Sequence, residues 1–238
     1  MLHGVTVLRG WSEVGEAIND LDGRPYRLHR NPLKNWDLRL IRELAEDVER
    51  GGLAVDLGAS VLGAVRLLHE MGFRAVRGYD LNVTRFDRLI QLRDWLGLMA
   101  RKRRPTGPPY RLFTRDLLHT RLPSGSVSVV TCLSVIEHGV DVRRFFPEMA
   151  RLLRPEGRLY VSTDYREPKL DTRGRTMFGL PWTIFCASEI EAMIELAAEC
   201  GLVLGSRSPG DLECAEHPVR DGPLSYTFAA LRFTKRGS

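Results

Sequence analysis

Apolar residues follow two patterns that alternate along this chain. Short continuous runs, typical of buried strands, are separated by longer stretches in which apolar positions recur at helical spacing. The short runs predict strands over residues 53–57, 74–79, 110–114, 127–133, 157–163, 202–207 and 224–233. The stretches between them predict helices over residues 62–71, 83–100, 141–153 and 188–200. This alternation predicts an α/β fold whose seven-stranded sheet is mostly parallel and carries helices on both faces.

The connection between the last two predicted strands, residues 208–223, is too short to hold a crossover helix of ordinary length. A parallel pair of strands needs such a crossover, so we expect these two strands to pair antiparallel. The hydrophobic pattern therefore predicts an antiparallel last strand at one end of an otherwise parallel sheet.

Two further helices are predicted before the first strand. One covers residues 12–20, and the other begins near Asn35 and is stopped by the glycine pair at residues 51–52. We therefore expect an N-terminal helical segment, residues 1–52, that covers the ligand edge of the main domain, residues 53–238.

The composition is that of a soluble globular protein, with 43% hydrophobic and 27% charged residues among 238. Apolar runs such as VSVVTCLSVI are far shorter than a membrane span, and the N-terminus lacks a signal-peptide layout, so we expect a cytoplasmic protein without a membrane partner. The net charge of +5 is spread over the chain, which argues against nucleic acid as a partner. The four cysteines lack metal-ligand spacing, so we expect reduced thiols and no metal. A homodimer is left open.

The stretch LAVDLGAS, residues 53–60, is a short strand that ends in an acid and runs through a glycine turn towards a helix. Gly58 admits a ligand close to the backbone, and Asp56 can accept hydrogen bonds at the carboxyl end of the strand. Two further acids, Asp80 and Asp116, follow the next two predicted strands. Open α/β sheets bind ligands where the carboxyl ends of neighbouring strands meet, so these acids predict a ligand site.

Two insertions interrupt the pattern. Residues 101–111 are basic and proline-rich; we expect their basic start to end the preceding helix and their GPPY motif to form a loop before a strand. Residues 164–187 are long, aromatic and charged, and begin at the carboxyl end of a strand. Long loops at this edge commonly form lids, and Phe178, Trp182 and Phe185 could wall a pocket under this one.

The motifs VDLGAS, GYDLN and RDLLHTRLPSGSVSVVTCLSVIEHGVDVRRFFPEMARLLRPEGRLYVST resemble those of class I S-adenosylmethionine-dependent methyltransferases of the small-molecule branch. The resemblance closely covers residues 53–163. It implies S-adenosylmethionine as cofactor, a small-molecule acceptor, and a Rossmann-like sheet with strand order 3-2-1-4-5-7-6 and an antiparallel last strand. The last point agrees with the short connection between the last two predicted strands.

The resemblance also implies which residues hold the cofactor. Its methionine end would lie at the glycine turn, its ribose at the acid after the second strand, and its adenine edge at the acid after the third. The implied cofactor-binding residues are Asp56, Gly58, Ser60, Asp80, Leu81, Asp116, Leu117, Leu133 and Ser134. Trp36 and Lys34 could reach the cofactor from the second helix, although Trp36 also fits a core anchor.

Three candidate catalytic residues lie at the implied acceptor pocket. His138 and Glu137 follow the fourth parallel strand, and Asp164 ends the fifth at the mouth of the long insertion. Transfer to a hydroxyl usually needs a general base, which one of these residues would supply. Structuring the loop or capping a turn is the alternative for each, and His217, in a later loop, is a weaker candidate base.

The glycine turn leaves two other interpretations open. The family commonly has glycines where this chain has Ser60 and Leu62, so the chain could be a non-catalytic methyltransferase-like module. A nicotinamide-dependent oxidoreductase would also place Asp80 on a ribose, but Ser60 and Leu62 would crowd its pyrophosphate. The sequence therefore predicts an enzyme that methylates a hydroxyl or, as second choice, an amine of a small molecule such as a sugar or natural-product intermediate.

Overall fold

The computed structural model describes residues 4–24, 26–100 and 108–237, without the side chains of residues 98–100. Its strands are β1 (Val5–Val7), β2 (Leu53–Leu57), β3 (Ala75–Asp80), β4 (Arg111–Thr114), β5 (Val127–Leu133), β6 (Leu153–Tyr165), β7 (Thr176–Met177), β8 (Leu180–Pro181), β9 (Leu202–Leu204), β10 (Val219–Asp221) and β11 (Leu224–Lys235). Its α-helices are α1 (Trp11–Asp22), α2 (Lys34–Ala45), α3 (Gly63–Glu70), α4 (Arg85–Ala100), α5 (Val142–Leu152) and α6 (Ala187–Glu199). Short 3₁₀ turns follow β2, at Ala59–Val61, and β4, at Leu117–His119.

The main sheet has a parallel core and an antiparallel edge. Strands β4, β3, β2, β5 and β6 lie side by side in that order and run parallel. Strand β11 pairs antiparallel with β6, where Leu231 lies opposite Val161, and β9 pairs antiparallel with β11. The predicted mostly parallel sheet and the antiparallel last strand are therefore confirmed. The order of neighbours from β4 to β9 is the one that the methyltransferase resemblance implies.

Three short strands share the outer side of β11, so the sheet has nine strands rather than the predicted seven. Strand β9 pairs with residues 233–235, β1 with residues 229–231 and β10 with residues 224–226. Strand β1 can follow β9 closely because Gly4 has no side chain, since a Cβ there would lie 2.6 Å from the carbonyl oxygen of Gly205. The strand predicted over residues 202–207 therefore ends at Leu204, and β1 takes over the pairing.

Helices cover both faces of the sheet. Helices α1, α2 and α3 pack on one face, where Trp36 lies in the hydrophobic core. Helices α5 and α6 pack on the other face, with Phe145 and Ile190 in a second core. Successive residues of β2 alternate between the two, because Ala54 joins the first core and Val55 the second. Burial on both faces explains why the parallel strands are continuous apolar runs in the sequence.

Helix α2 ends at Ala45, earlier than the glycine pair at residues 51–52 predicts. The Arg50 guanidinium folds back and donates hydrogen bonds to the carbonyl oxygens of Ala45, Glu46 and Val48, the last over 2.7 Å. These carbonyls lie where a helix leaves its acceptors unpaired, and a cation there also interacts favourably with the helix dipole. A side-chain cap therefore ends this helix before the glycines are reached.

The long insertion, residues 164–187, folds against the loop that follows β5. Its β7–β8 hairpin projects from the sheet edge, and its later part returns to the main fold through backbone hydrogen bonds. The Thr183 amide donates to the Glu137 carbonyl oxygen over 3.0 Å, and the Phe185 amide donates to the Asp164 carbonyl oxygen over 3.0 Å. The insertion is thus tied to the backbone of two candidate catalytic residues.

The basic part of the other predicted insertion, residues 101–107, lies outside the described residues, together with its expected role in ending a helix. The described part resumes at residue 108 and leads through the buried Tyr110 into β4. Among the helices of the described ranges, none is long and apolar enough to cross a membrane. All four cysteines are free thiols.

Candidate active site

The chain leaves β2 through a turn that brings its backbone against the neighbouring loop. Gly58 has a φ of +81°, and a Cβ on it would lie 2.2 Å from Cγ2 of Val135. Both the left-handed backbone and the close approach therefore favour glycine. Leu62, with a φ of +61°, takes a second left-handed position just before α3, and its side chain is buried. Ser60 is exposed between them.

Asp56 is buried at the carboxyl end of β2. Thr131 of the adjacent strand β5 donates a hydrogen bond from its hydroxyl to Asp56 Oδ1 over 2.7 Å. Burial raises the pKa of Asp56 to about 7, the Thr131 hydrogen bond opposes this rise, and the Asp80 carboxylate adds to it. A buried carboxyl with such a pKa ionises more readily when a cationic group binds beside it.

Asp80 and Leu81 follow at the end of β3. The Asn82 amide donates to Asp80 Oδ1 over 2.8 Å, which orients the carboxylate at the edge. The Leu81 side chain beside it is exposed. The turn after β2 is joined to this strand because the Gly58 amide donates to the Tyr79 carbonyl oxygen over 2.8 Å. A carboxylate and an exposed apolar side chain thus lie next to the glycine turn.

Asp116 caps the 3₁₀ turn that follows β4. The Leu118 amide donates to its Oδ1 over 2.8 Å, and His119 Nδ1 lies 3.2 Å from its Oδ2. Burial acts to raise the pKa of Asp116, but the Leu118 amide and His119 hold it below its usual value. Leu117 is buried in the second core. Both oxygens of Asp116 already have local partners, which a ligand amino group would have to share.

Leu133 ends β5, and Ser134 after it has a left-handed φ of +49°. The Ser134 amide donates to the Ser162 carbonyl oxygen over 3.0 Å, which holds the start of the loop against β6. Lys34 of α2 donates a hydrogen bond to the Ser134 hydroxyl. Helix α2 of the N-terminal segment therefore reaches the same edge of the sheet as the acids at the ends of the parallel strands.

Glu137 and Asp164 are a pair of buried acids close to this loop. The Thr163 hydroxyl donates to Glu137 Oε2 over 3.1 Å, and the Trp182 indole donates to Asp164 Oδ2 over 2.8 Å. Burial and repulsion by Asp164 raise the pKa of Glu137 well above its usual range. Burial also raises the pKa of Asp164 to about 6, against the opposing effect of the Lys34 ammonium. Glu137 therefore holds its proton more tightly than an ordinary glutamate does.

His138 lies half-buried between the loop and the hairpin of the insertion. Its ring makes an edge-to-face contact with Phe178, with ring centroids 5.4 Å apart. Burial and the Lys34 ammonium lower the pKa of His138, so the imidazole is mainly neutral near pH 7. Among the described residues, neither His138 Nδ1 nor Glu137 Oε1 has a hydrogen-bond partner. Both are buried atoms whose hydrogen-bonding capacity is unused within the described ranges.

The aromatic candidates divide among different environments. Trp36 is 1% exposed, and packing in the first core is enough to explain its position. Lys34 is the residue of α2 that reaches the sheet edge. Trp182 packs on Tyr226 near the acid pair, with centroids 5.6 Å apart. Phe185 joins the second core, on the other face of the sheet. Of the predicted pocket walls, Phe178 and Trp182 thus lie nearest the candidate catalytic residues.

Asp37 belongs to this group although the sequence did not single it out. Its Oδ2 lies 3.3 Å from Lys34 Nζ, and Tyr160 donates to its Oδ1 over 2.7 Å. The Lys34 ammonium also stands 3.4 Å above the Phe228 ring. The signal in the sequence is the spacing of Lys34 and Asp37, which places a cation and an acid one helical turn apart. By contrast, no contact within the described ranges joins His217 to these residues.

A family model described as a methyltransferase domain matches residues 55–161, which extend from β2 to β6. Over 60 residues the chain is 37% identical to the ubiquinone biosynthesis O-methyltransferases of Pseudomonas aeruginosa and Pseudomonas paraeruginosa. This alignment covers 25% of the chain and 25% of those relatives, so the chain matches only a quarter of their length.

Solved structures of similar fold align over nearly the whole chain. The cyclase SpnF has a TM-score of 0.59 at 14% identity, covering 96% of this chain and 95% of its own. Geranyl diphosphate C-methyltransferase from Streptomyces coelicolor, in complex with Mg²⁺, geranyl diphosphate and S-adenosylhomocysteine, has a TM-score of 0.55 at 15% identity and covers 99% and 89%. An S-adenosylmethionine-dependent methyltransferase from Mesorhizobium loti has 0.53 at 18%, covering 90% and 99%. At these identities the likeness concerns the fold.

Proposed function

We propose that this chain is a class I S-adenosylmethionine-dependent methyltransferase that methylates a hydroxyl group of a small molecule, because a methyltransferase-domain model matches residues 55–161. The observation that carries the proposal is the meeting of two groups of residues at one sheet edge. One group, at the ends of β2, β3 and β4, offers carboxylates to a cofactor, and the other, after β5 and β6, offers a neutral imidazole and two buried acids. The family match leaves no support for the nicotinamide-dependent alternative.

The residues at the first group fit S-adenosylmethionine. Asp80 can accept hydrogen bonds from the two ribose hydroxyls, and the exposed Leu81 offers an apolar surface to the adenine. The buried Asp56, with its raised pKa, suits the ammonium of the methionine end. Gly58 leaves backbone room beside it, and the exposed Ser60 can donate a hydrogen bond to the carboxylate. When bound, the cofactor supplies a methyl group on a positively charged sulfur.

His138 is the residue that we propose as the general base for the acceptor hydroxyl. Its ring is half-buried and mainly neutral near pH 7, so it can take a proton. Glu137 is favoured in its protonated form by burial and by Asp164, so it can donate a hydrogen bond rather than take a proton. Asp164 accepts from the Trp182 indole and would hold the acceptor pocket open beside the insertion.

A hydroxyl acceptor is preferred to an amine for two reasons. Methylation of a neutral hydroxyl benefits from a base, and the site offers one with a lowered pKa. The Pseudomonas relatives are also named as O-methyltransferases, although the alignment with them is short. An amine is the second choice of acceptor group, and sugars and natural-product intermediates are the proposed kinds of small molecule.

The segments that we propose to close the pocket are residues 1–52 and 164–187. The first is supported by the contact of Lys34 with Ser134. The second is supported by the Thr183 hydrogen bond to Glu137 and by the packing of Phe178 on His138. A pocket covered from both sides would exclude water from the reacting atoms, which favours methyl transfer over side reactions.

The proposal is tested by incubating the protein with S-adenosylmethionine labelled in its methyl group and a panel of small hydroxylated and aminated molecules. We expect label to appear on a hydroxylated acceptor, and His138→Gln to lower kcat by about 100-fold or more with little change in cofactor affinity. The matched control is His217→Gln, which changes a half-buried histidine outside the candidate site. Transfer to amines alone, or unchanged turnover in His138→Gln, would contradict the proposed role. Cofactor binding without transfer to any acceptor would favour the non-catalytic module.

A further inference from the structure

Helix α4 presents its apolar residues to solvent. Leu89, Leu92 and Leu96, spaced three and four residues apart, lie along one line of the helix, and their exposed fractions are 61%, 44% and 58%. Phe86, at the edge of this line, is 59% exposed. A helix on a globular protein normally turns such a line towards the core. The arrangement in α4 is the reverse.

The rotation of α4 is set by a buried polar network on its inner side. Asp94 is buried and lies 2.7 Å from each of three partners, which are Arg27 Nη1, Arg66 Nε and the Tyr110 hydroxyl. Asp87, two turns earlier on the same side of the helix, is also buried. Turning the leucines inwards would expose Asp94 and break its contacts with both arginines. The outward direction of the leucines is therefore fixed by ionic contacts of high cost to break.

The exposed side of α4 carries positive charge only. Arg85, Arg88 and Arg93 are exposed there, and within the described part of the chain none of them makes an ion pair. On the helix, Arg88 and Arg93 stand on opposite sides of the leucine line. Both acids of α4, Asp87 and Asp94, point inwards. The outer side of α4 therefore offers apolar contact and positive charge together, which suits the surface of an anionic membrane.

We propose that the outer face of α4, which comprises Phe86, the three exposed leucines and the three exposed arginines, binds the surface of an anionic lipid bilayer. The leucines and Phe86 would enter the boundary between headgroups and acyl chains. The arginine side chains are long enough to extend sideways to the lipid phosphates while their stems stay on the apolar surface. This role requires one apolar helix face rather than a spanning run. The expectation of no membrane partner rests on the shortness of the apolar runs, and an apolar helix face is not detected in that way.

A second copy of the chain fits this face less well. In a symmetric dimer the same patch meets itself, so three unpaired arginines would face three others. An anionic surface instead neutralises all of them. The outer face includes none of the residues proposed for methyl transfer, so this proposal and the proposed function can fail independently.

The test uses the full chain and vesicles of two compositions, phosphatidylcholine alone and an equal mixture with phosphatidylglycerol, in co-sedimentation at about 0.1 M salt. We expect binding to the anionic vesicles only. The variant Leu89→Gln/Leu96→Gln should lower the partition coefficient at least about tenfold. The variant Arg88→Gln/Arg93→Gln should lower it about fivefold for each arginine. Glutamine is a good helix former, so α4 should persist in both variants.

The matched control is Val203→Gln with Leu28→Gln, which replaces two exposed apolar residues elsewhere and should leave binding unchanged. Circular dichroism and a cooperative urea unfolding transition check that every variant is folded. The proposal would be overturned if the wild-type protein did not bind anionic vesicles. That result is expected if the partner of this face is an acidic protein rather than a lipid surface. Equal loss in the control would also overturn it. So would a lipid-free dimer, seen by sedimentation velocity, that Leu89→Gln/Leu96→Gln abolishes.

Discussion

At Gly58 a left-handed backbone and a close contact with Val135 coincide. We expect Gly58→Ala to lower the free energy of unfolding by about 1–3 kcal/mol, because alanine is strained at a φ of +81° and its Cβ would lie 2.2 Å from Val135 Cγ2. It should also weaken S-adenosylhomocysteine binding by moving the turn. Urea denaturation and calorimetry measure the two effects.

The two causes can be separated with Val135→Ala. The double variant Gly58→Ala/Val135→Ala should recover the part of the loss that comes from the contact and keep about 1–2 kcal/mol from the left-handed backbone. Losses that simply add would mean that Val135 does not press on the turn.

Asp56 should make the ligand-free protein less stable as the pH rises. Its pKa of about 7 in the folded protein, well above the ordinary value of an aspartate, means that the folded state binds the proton more tightly. The corresponding stability is complete below about pH 4 and is lost as the pH rises through 7. We therefore expect the free energy of unfolding of Asp56→Asn, measured by urea denaturation, to exceed that of the wild type by about 1–3 kcal/mol at pH 8. The difference should be much smaller at pH 5. A variant that is equally destabilised at both values would contradict this explanation.

The pH dependence of turnover should follow His138 and depend on Lys34. The proposed base acts when neutral, so kcat/KM should rise with pH through its pKa, which burial and the Lys34 ammonium hold below 6.5. Lys34→Met removes that ammonium and should move the rise to higher pH, whereas Lys34→Arg should keep it in place. If kcat/KM of Lys34→Met rose at the same pH as that of the wild type, this would contradict an effect of Lys34 on the pKa of His138.

Among the elements, β1 joins the N-terminal segment to the main sheet. Val7 is fully buried in the second core and lies opposite Ala229 of β11. We expect Val7→Ala to lower the free energy of unfolding by about 1.5–3 kcal/mol and to speed hydrogen exchange of the β11 amides around residues 229–231. Thr6→Ala, on the half-buried neighbour, should change both far less. Unchanged exchange in β11 would mean that the N-terminal segment folds apart from the sheet.

The elements that could be predicted from the sequence are those whose burial leaves a regular pattern. Strand β5 is buried on both faces and is a continuous apolar run, and the short loop before β11 fixes its direction. Strand β1 has three residues and can follow β9 closely because Gly4 has no side chain. The end of α2 depends on the Arg50 side chain. A contact made by a single side chain produces no repeating pattern of apolar residues in the sequence, so these two features could not be predicted.

The same limit applies to the site. Asp56, Asp80 and Asp116 could be proposed because each lies at or just after the carboxyl end of a strand, and the topology brings parallel strand ends together. The contact of Lys34 with Ser134 joins residues 100 positions apart in the sequence, and no local pattern indicates it. The inward acids of α4 were likewise hidden, since a helix with apolar residues on several sides has no marked amphipathic face.

Over the whole molecule, the sheet edge holds the residues proposed for chemistry, and the outer face of α4 is a separate surface. Helix α4 starts just after Asp80 and Leu81, so a lipid surface bound there would lie beside the cofactor end of the site rather than across from it. We therefore expect anionic vesicles to leave S-adenosylhomocysteine affinity nearly unchanged unless the bilayer covers Leu81. A competition titration with and without vesicles measures this.

The central claim is that the acids at the ends of the parallel strands bind S-adenosylmethionine. Calorimetric titration with S-adenosylhomocysteine tests it most directly, with Asp80→Ala beside the exposed control Asp22→Ala. We predict one site per chain in the wild type and in Asp22→Ala, and an affinity loss of about 10-fold or more in Asp80→Ala, because two hydrogen bonds from the ribose to a charged group are lost. Equal affinity in Asp80→Ala, or no binding by the wild-type protein, would contradict the account.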